Sequence, residues 1–441
     1  MGILKVDIPN HSFEEISYTV NCLLGKFLGI EFEVSNKDIS NTVVRSEKGS
    51  LTINNHFFKG DKGAFEYDKS YLPCAVIDNV IEFAGKRLPL VSLYGNSKIG
   101  QQEADIILDS DIIASTFFML TRWEEYVNPE RDVHNRFPAK ASIAYKHGFL
   151  DRPIVNEYVE LLWTLLEKIG CTQNRKSRAY KIVPTHDVDR PFLFTSLFQN
   201  IRLFGGYIKR GNFHGLVDFC KHAIKGIDPW DTHDLFMDLS EKANVKSYFF
   251  FLPKGKNKHD GRYDVAEPKI KKLYRRIKER GHHIGFHPSY DTYNDIELFR
   301  KEKIELEEAI GEKVKCGRQH YLRFSIPRTW QIWDECGIEW DSTMSYADSS
   351  GFRCGVCYPF PVFDIEQRKQ LNLWERPLIV MEGSLVGYEK LSLEEAKKKV
   401  DNLKSEVKKH NGEFVFLYHN SSFFEGGYRK LGQQLLYHLY K

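Results

Sequence analysis

Three short stretches, far apart in the chain, each carry acidic or histidine side chains at the end of an apolar run. They are residues 185–189 (THDVD), 281–287 (GHHIGFH) and 416–419 (FLYH). Each has the pattern of a buried strand that runs straight into polar side chains able to bind a metal ion. Core packing does not require such side chains there, whereas a metal-dependent hydrolase site does. The three stretches therefore predict a hydrolytic site assembled from separate strands.

The elements that must position these side chains lie in the second part of the chain, where short apolar runs alternate with amphipathic helical stretches. The apolar runs are residues 180–184, 247–252, 282–286, 313–319, 338–343, 377–381 and 413–418. The helical stretches include residues 232–243, 268–280, 295–310, 327–336 and 393–409. Such alternation predicts an α/β fold with parallel strands joined by crossover helices. Seven strands suggest a distorted, incomplete (β/α)7 barrel, with an open doubly wound sheet as the alternative.

The first part of the chain, residues 1–178, mixes short apolar runs with turn signals and is predicted to be a smaller, mixed α+β domain. Apolar residues at helical spacing predict one helix over 111–126 and another over 155–169. The polar, basic segment 172–178 is the best candidate for a domain boundary. We therefore expect the barrel domain to span 179–441, with a two-helix insertion at about 190–231. The first part carries no motif of known chemistry, so its role is not predicted.

Composition excludes several classes of protein. The chain has 441 residues and 42% hydrophobic residues, enough for two cores. Its 63 Lys and Arg residues nearly balance 60 Asp and Glu residues and are interspersed with them, so nucleic acid is not an expected partner. No apolar window is long enough for a membrane span, and the N-terminus does not resemble a signal peptide. The eight cysteines are scattered and are predicted to be reduced thiols. Together, these features favour a cytoplasmic location.

The predicted strands bring the chemistry-bearing residues to one face. Each candidate follows the carboxyl end of a predicted strand, the end at which barrel enzymes assemble their sites. These candidates are Asp187, Asp189, His287, Arg318, His320, Asp341 and His419. A single Asp-x-Asp pair is weak support for a site, because such pairs are commonly solvated loop carboxylates. Convergence of several independent segments makes the prediction much stronger.

The order of these motifs resembles the polysaccharide deacetylases of carbohydrate esterase family 4. The resemblance covers about residues 180–420 and rests mainly on the Asp-Val-Asp stretch, the Gly-His-x-Ile-Gly-x-His stretch and the terminal Leu-Tyr-His. More closely, the chain resembles the Bacteroidetes-type deacetylase-like proteins with an added N-terminal domain. The resemblance implies a deacetylase-type barrel and a metal-dependent hydrolase. Its expected partner is an acetylated carbohydrate or carbohydrate precursor, from which it would remove N- or O-acetyl groups.

The resemblance also implies four catalytic roles: Asp187 as the base, His419 as the general acid, Arg318 orienting the base and Asp341 tuning the acid. These residue types suit the reaction. A carboxylate takes the proton of an activated water molecule, and a histidine protonates the leaving group. A histidine needs an acidic neighbour to stay protonated near neutral pH, and Asp341 could supply it.

The metal ligands that the resemblance implies are Asp189 and His287. The family's second motif normally reads His-x-x-x-His, but here Asp291 stands where the second histidine would be. Asp291 follows a turn started by Pro288 and can fold back towards the ion, so we expect it to be the third ligand, with water as the alternative. One divalent ion is therefore the expected cofactor. Such a set still binds zinc, the favoured ion, and should also accept manganese or cobalt.

His320 and Tyr346 are the candidates for contact with the substrate. His320 lies two residues after Arg318 in a motif that lacks the family's proline, and a structural role for it is equally supported. Tyr346 falls on a predicted loop near the site, where an aromatic ring could stack on a sugar.

Two other functions are alternatives to the deacetylase interpretation. A catalytically impaired deacetylase-like protein that only binds carbohydrate is made credible by the aspartate at position 291. Retention of Asp187 and His419 favours the enzyme, because a lectin needs neither a base nor an acid. The third and weakest alternative is hydrolysis of a different amide by the same kind of site.

Overall fold

Two sheets organise the chain. In the described residues, the strands form a six-stranded sheet, a nine-stranded sheet and a two-stranded hairpin. The structure is a computed structural model that describes residues 2–58, 67–194, 197–209, 211, 213–253, 255, 257–261, 263–423 and 428–441. Helices alternate with the strands of the large sheet. The predicted mixed α/β class is therefore confirmed.

The first part of the chain builds the six-stranded sheet and the hairpin. Its strands are β1 (Leu4–Pro9), β2 (Phe32–Lys37), β3 (Thr42–Arg45), β4 (Ser50–Ile53), β5 (Ile77–Phe83), β6 (Lys86–Ser92), β7 (Ile99–Gln102) and β8 (Asp105–Leu108). The sheet has the order β2-β1-β3-β4-β8-β7, and β5 pairs with β6. Its helices are α1 (Phe13–Val20), which continues as a π-helix over Asn21–Leu28, α2 (Ile112–Thr121), α3 (Trp123–Val127), α4 (Ile143–Lys146) and α5 (Ile154–Lys168).

The second part of the chain builds the nine-stranded sheet. Its strands are β9 (Lys181–Val188), β10 (Tyr248–Phe251), β11 (His283–Phe286), β12 (Cys316–Gly317), β13 (Trp340–Asp341), β14 (Phe360–Asp364), β15 (Lys369–Glu375), β16 (Val380–Met381) and β17 (Glu413–Leu417). Its helices are α6 (Leu197–Lys209), α7 (Phe213–Lys225), α8 (His233–Lys242), α9 (Pro268–Glu279), α10 (Ile296–Ile310), α11 (Arg328–Glu335), α12 (Leu393–Lys409) and α13 (Tyr428–Leu439). All seven predicted strands are present, and helices α6 and α7 lie between β9 and α8.

The large sheet has the strand order β14-β15-β13-β12-β11-β10-β9-β17-β16. Its pairs are parallel except for the antiparallel pair β14–β15, which the sequence did not predict. Among the described strands, β14 and β16 stand at the two ends of this order, and no pairing joins them. The sheet is thus open on one side.

The sequence explains how the helices beside the site begin and end. The Asp295 side chain accepts a hydrogen bond from the Leu298 amide at the start of α10, and Gly311 ends that helix in the left-handed conformation. Ser392 and Glu395 form a reciprocal capping box at the start of α12. Apolar strands that are buried along most of their length, such as β10, are typical of a parallel sheet.

The two parts of the chain share one apolar core. The Tyr18 hydroxyl of α1 donates to the Pro361 carbonyl of β14 at 2.7 Å, and the Phe117 and Phe363 rings lie 5.4 Å apart. The segment 172–178 is itself anchored, because the Gln173 side chain donates to the carbonyls of Gly2 and Glu31. The boundary at 172–178 stays a prediction.

Among the described helices, none combines the length and apolar character that a membrane crossing requires.

Candidate metal centre and active site

The candidate site lies at the carboxyl ends of neighbouring parallel strands. These ends are level, because Val188 of β9 pairs with Phe251 of β10, Phe251 pairs with Phe286 of β11, and Phe286 pairs with Gly317 of β12. The next residues of three of these strands are the ones that the motifs singled out. They are Asp189, His287 and Arg318, and His320 follows two residues after Arg318.

Three side chains form a group that could hold a metal ion: Asp189, His287 and His320. Their ligand atoms all lie within 4.8 Å of one another. Oδ1 of Asp189 is 3.2 Å from Nε2 of His287 and 3.5 Å from Nδ1 of His320. The two imidazole nitrogens are 2.9 Å apart. A tetrahedral ion bound at about 2.1 Å separates its ligand atoms by about 3.4 Å, so the group has the size of a zinc-type site.

Hydrogen bonds to backbone carbonyls set the tautomers of both histidines. Nδ1 of His287 lies 2.6 Å from the Arg318 carbonyl oxygen, and Nε2 of His320 lies 3.2 Å from the His259 carbonyl oxygen. A carbonyl only accepts, so each of these nitrogens carries the proton in the neutral ring. The opposite nitrogens then direct lone pairs at each other. Facing lone pairs at 2.9 Å repel unless a proton on one ring or a metal ion lies between them, and carbonyl-oriented imidazoles are typical of metal ligands.

Electrostatics at the group agree with a site for a cation. Burial acts to raise the pKa of Asp189, but the imidazoles of His320, His287 and His419 hold this pKa below its usual value. Burial lowers the pKa of His320 to about 4, despite the opposing effect of Asp189. Oδ1 of Asp189 is buried and receives no further hydrogen bond among the described residues. An ionised carboxylate and a neutral imidazole are the forms that bind a divalent ion. Burial acts to lower the pKa of His287, but Asp187 and Asp189 raise it above its usual value, so this ring would give up a proton when an ion binds.

Asp187 and Arg318 form a buried ion pair beside this group. Nη1 of Arg318 donates to Oδ1 of Asp187 at 2.9 Å and to the Thr185 hydroxyl at 2.9 Å. The rest of the guanidinium donates to the carbonyl and hydroxyl of Ser342. Oδ2 of Asp187 is 3.7 Å from Nε2 of His287. The arginine therefore holds one carboxylate oxygen and leaves the other directed towards the candidate metal ligands.

His419 lies beside Asp189 and pairs with Glu382. Its Nδ1 lies 2.6 Å from Oε1 of Glu382, and its Nε2 lies 4.0 Å from Oδ2 of Asp189. The amide of His419 and the hydroxyl of Ser422 donate to the same glutamate oxygen. Burial alone would lower the pKa of His419, but Glu382, with smaller effects from Asp189 and Asp187, raises it to about 10. The structure thus places a protonated imidazole at the site near neutral pH.

The acid beside His419 is Glu382 and not Asp341, which corrects the expectation for Asp341. The Asp341 carboxylate accepts from the Thr343 hydroxyl at 2.5 Å and shares a buried environment with Glu375. Burial raises the pKa of Asp341 to about 6. A sequence signal for Glu382 existed, because it directly follows β16, which pairs with the β17 strand that leads to His419. Glu382 therefore has the same position after a predicted strand as the other candidates.

Asp291 does not belong to the three-residue group, and His320 stands where Asp291 was expected. The Asp291 carboxylate is more than half exposed and accepts from Arg323 at 3.2 Å and from Asn257 at 2.9 Å. The turn before it is held inward by other contacts, since the Ser289 hydroxyl and amide donate to the buried Glu302 carboxylate. This geometry turns Asp291 towards the surface.

Tyr346 lies in the interior and has no free face for a ligand. It is 1% exposed, and its hydroxyl accepts from Arg122 at 2.9 Å. The Arg353 guanidinium lies 4.9 Å from its ring centroid and also pairs with Glu125. Tyr346 therefore belongs to a buried ion network between the two parts of the chain, and the expectation that it contacts substrate is corrected.

The first part of the chain reaches the rim of the site through His134, which the sequence analysis did not select. Nδ1 of His134 lies 2.9 Å from the Tyr290 hydroxyl, and its ring lies 4.9 Å from that of Tyr321 and 5.2 Å from that of His259. Tyr321 in turn packs edge-on against His320, with ring centroids 4.8 Å apart. No motif marks His134, and only the folded chain brings it to the site.

Comparison with known proteins gave one family match and a set of similar solved structures. Residues 4–170 match the model of a family described as a family of unknown function, DUF7033. The comparison with curated proteins gave no match.

The similar solved structures share low sequence identity with this chain. One, assigned to the polysaccharide deacetylases, is from Mycobacterium smegmatis, with 15% identity, a TM-score of 0.39, and coverage of 59% of this chain and 84% of that one. A polysaccharide deacetylase from Bacillus cereus has 14% identity, a TM-score of 0.27, and coverage of 58% and 87%. A pseudoenzyme of carbohydrate esterase family 4 from Bacillus anthracis has 14% identity, a TM-score of 0.27, and coverage of 58% and 61%. At these identities and TM-scores, the similarity assigns neither a family nor an activity to this chain.

Proposed function

We propose that this chain is a metal-dependent hydrolase that removes N- or O-acetyl groups from a carbohydrate or carbohydrate precursor. The observation that carries the proposal is the convergence of three candidate ligands with a buried Asp–Arg pair and a Glu–His pair. The carbohydrate and the acetyl group come from the resemblance of the motifs to family 4 deacetylases. The parallel strand order and the open side of the sheet support the deacetylase-type incomplete barrel that the same resemblance implies.

Asp189, His287 and His320 are the residues that would hold the ion. One carboxylate oxygen and two imidazole nitrogens suit zinc, with manganese or cobalt as alternatives. A divalent ion bound there would supply Lewis-acid activation of water and of the acetyl carbonyl. The Arg318 and His259 carbonyls hold the two rings in the orientation that this role needs.

Asp187 is the proposed base. Its Oδ1 is held by Arg318, while its Oδ2 is directed towards the ligand group at 3.7 Å from His287. A carboxylate held in this way can accept a proton from a water molecule that attacks the acetyl carbonyl. Arg318 makes four hydrogen bonds and fixes the carboxylate without removing its basic oxygen.

His419 is the proposed acid. Its Nδ1 is held by Glu382, so its Nε2 carries the proton that can pass to the leaving nitrogen or oxygen of the sugar. The base and the acid approach the ligand group through different residues, since Oδ2 of Asp187 lies 3.7 Å from His287 and Nε2 of His419 lies 4.0 Å from Asp189. This separation lets one residue take a proton while the other gives one.

A test of the proposal measures acetate release from a panel of acetylated mono- and oligosaccharides by protein loaded with zinc, manganese or cobalt. We expect release by the wild-type protein, loss of release after chelation, and recovery when the ion is returned. Asp291→Asn is the matched control, because its carboxylate points away from the group and its loss should leave turnover unchanged. A protein that binds the ion and the sugars but releases no acetate would instead be a carbohydrate-binding protein, and the proposal would be wrong.

A further inference from the structure

The two-helix insertion after β9 carries apolar side chains on two faces. Its inner face packs into a small core formed by Leu193, Phe219 and Trp230, with Tyr207 of α6 beside it. The rings of Tyr207 and Phe219 lie 5.9 Å apart, so α6 and α7 contact each other across this core. This face accounts for one apolar stripe of each helix. A second apolar stripe remains on each of them.

The second stripe is exposed. On α6 it consists of Ile201, Phe204 and Ile208, which are 62%, 40% and 50% exposed. On α7 it consists of Phe213, Val217 and Ile224, which are 70%, 48% and 86% exposed. The spacings i, i+3, i+7 and i, i+4, i+11 place each set on one side of its helix. Single exposed apolar residues are ordinary, but two ordered stripes on adjacent helices indicate a surface that binds something.

The charge of the insertion indicates what it binds. Between residues 190 and 231 the sequence has six basic residues, Arg190, Arg202, Lys209, Arg210, Lys221 and Lys225, and three acidic residues, Asp218, Asp228 and Asp231. The whole chain is nearly balanced, with 63 basic and 60 acidic residues, so the excess is local. Lys209, Lys221 and Lys225 are exposed. Two surfaces of this kind in a symmetric dimer would repel each other, whereas apolar stripes flanked by lysines suit an anionic lipid surface.

The insertion is joined to the candidate site. It leaves the sheet directly after Asp189, and its two ends are held by Asn420, the residue after His419. The Asn420 amide donates to the Arg190 carbonyl at 2.8 Å and to the Trp230 carbonyl at 3.0 Å. The base of the insertion is thus fixed beside the proposed acid.

We propose that helices α6 and α7 dock this protein on an anionic lipid surface, with the apolar stripes in the interface and the lysines at the headgroups. The candidate site then lies next to the bilayer, within reach of a substrate carried on a lipid. Docking is independent of the proposed chemistry, because it needs neither the metal ion nor turnover.

The test is co-sedimentation of the purified full-length protein with vesicles of phosphatidylcholine alone or mixed with an equal part of phosphatidylglycerol. We expect binding to the mixed vesicles and much weaker binding to phosphatidylcholine alone. The double variant Phe213→Ser/Ile224→Ser should bind the mixed vesicles at least about tenfold more weakly, because two large side chains leave the interface. Lys221→Glu/Lys225→Glu should weaken binding by at least about tenfold through repulsion from the headgroups.

The control is Ile107→Ser/Ile304→Ser, which removes two apolar side chains, 50% and 47% exposed, outside the insertion. It should bind as the wild type does, and thermal unfolding should show that all variants remain folded. Absence of vesicle binding by the folded wild-type protein would overturn the proposal. Equal binding to both vesicle types would refute the role of the lysines. Self-association that Phe213→Ser/Ile224→Ser abolishes, without vesicle binding, would show that a second copy covers the stripes.

Discussion

The pair formed by Glu382 and His419 makes a sharp prediction about the substitution Glu382→Gln. Burial alone would lower the pKa of His419, yet the structure raises it from the ordinary 6.5 to about 10, mainly through Glu382 at 2.6 Å. At about 1.4 kcal/mol per pKa unit, the difference corresponds to roughly 5 kcal/mol of favourable interaction with the protonated ring. Glutamine keeps the shape and one hydrogen-bond acceptor but removes the charge. We therefore expect the pKa of His419 to fall to 6.5 or below in the variant.

The assay is NMR titration of the histidine C–H signals in metal-free wild-type and variant protein, since a bound cation would lower both pKa values. The raised pKa also stabilises the fold, fully below about pH 6.5 and progressively less as the pH rises through about 10. The variant should therefore unfold at a lower temperature than the wild type at pH 6, and the gap should narrow at high pH. In the loaded enzyme, turnover by the variant should fall off at a lower pH than turnover by the wild type.

Asp341→Asn is the control for this prediction, because it removes the carboxyl group that the motif resemblance assigned to His419. It should leave the pKa of His419 unchanged, since Asp341 contacts Thr343 and Glu375 instead. The reasoning is refuted if Asp341→Asn lowers the pKa of His419 and Glu382→Gln does not.

Three further substitutions test the other roles at the site. Asp187→Asn should keep its metal content, measured by atomic emission, but lose roughly 10²–10⁴-fold in kcat because the base is gone; unchanged kcat would mean that another group accepts the proton. Arg318→Lys retains the charge but cannot hold Asp187, Thr185 and Ser342 together, so kcat should fall by about tenfold or more, and a wild-type rate would remove its positioning role. His134→Ala should raise KM several-fold with little change in kcat, because the ring lies on the rim; equal losses in both would indicate a different role.

The sequence predicted the architecture of the second part well because its periodicity is strong. All seven predicted strands exist, since alternation of apolar runs with amphipathic helices is a pattern that few other folds share. The antiparallel pair β14–β15 is not predicted from the sequence. Pro361 lies within β14, and a proline argues against a strand unless that strand stands at the edge of a sheet. The helix predicted over 111–126 is divided into α2 and α3 at Arg122, which adopts a left-handed conformation to reach Glu124 and Glu125. Periodicity carries no information about such buried ion pairs.

The sequence predicts only part of the candidate site, because it locates strand ends but not the directions of the side chains beyond them. Position at a strand end selected Asp187, Asp189, His287, Arg318 and His419, and the structure brings these together. Motif spacing predicts Asp291 as the third ligand and Asp341 as the partner of His419. The structure instead places His320 and Glu382 in these positions. Spacing along the chain cannot show that the turn 288–290 directs Asp291 outward, or that β16 lies beside β17.

The most direct test of the account is the number of divalent ions bound per chain, measured by calorimetry and elemental analysis on four alanine variants. The account predicts one ion per chain in the wild-type protein. Asp189→Ala, His287→Ala and His320→Ala should each weaken binding by roughly tenfold or more, whereas Asp291→Ala should bind as the wild type does. Loss of the ion in Asp291→Ala with full retention in His320→Ala would contradict the ligand set on which the proposed chemistry depends.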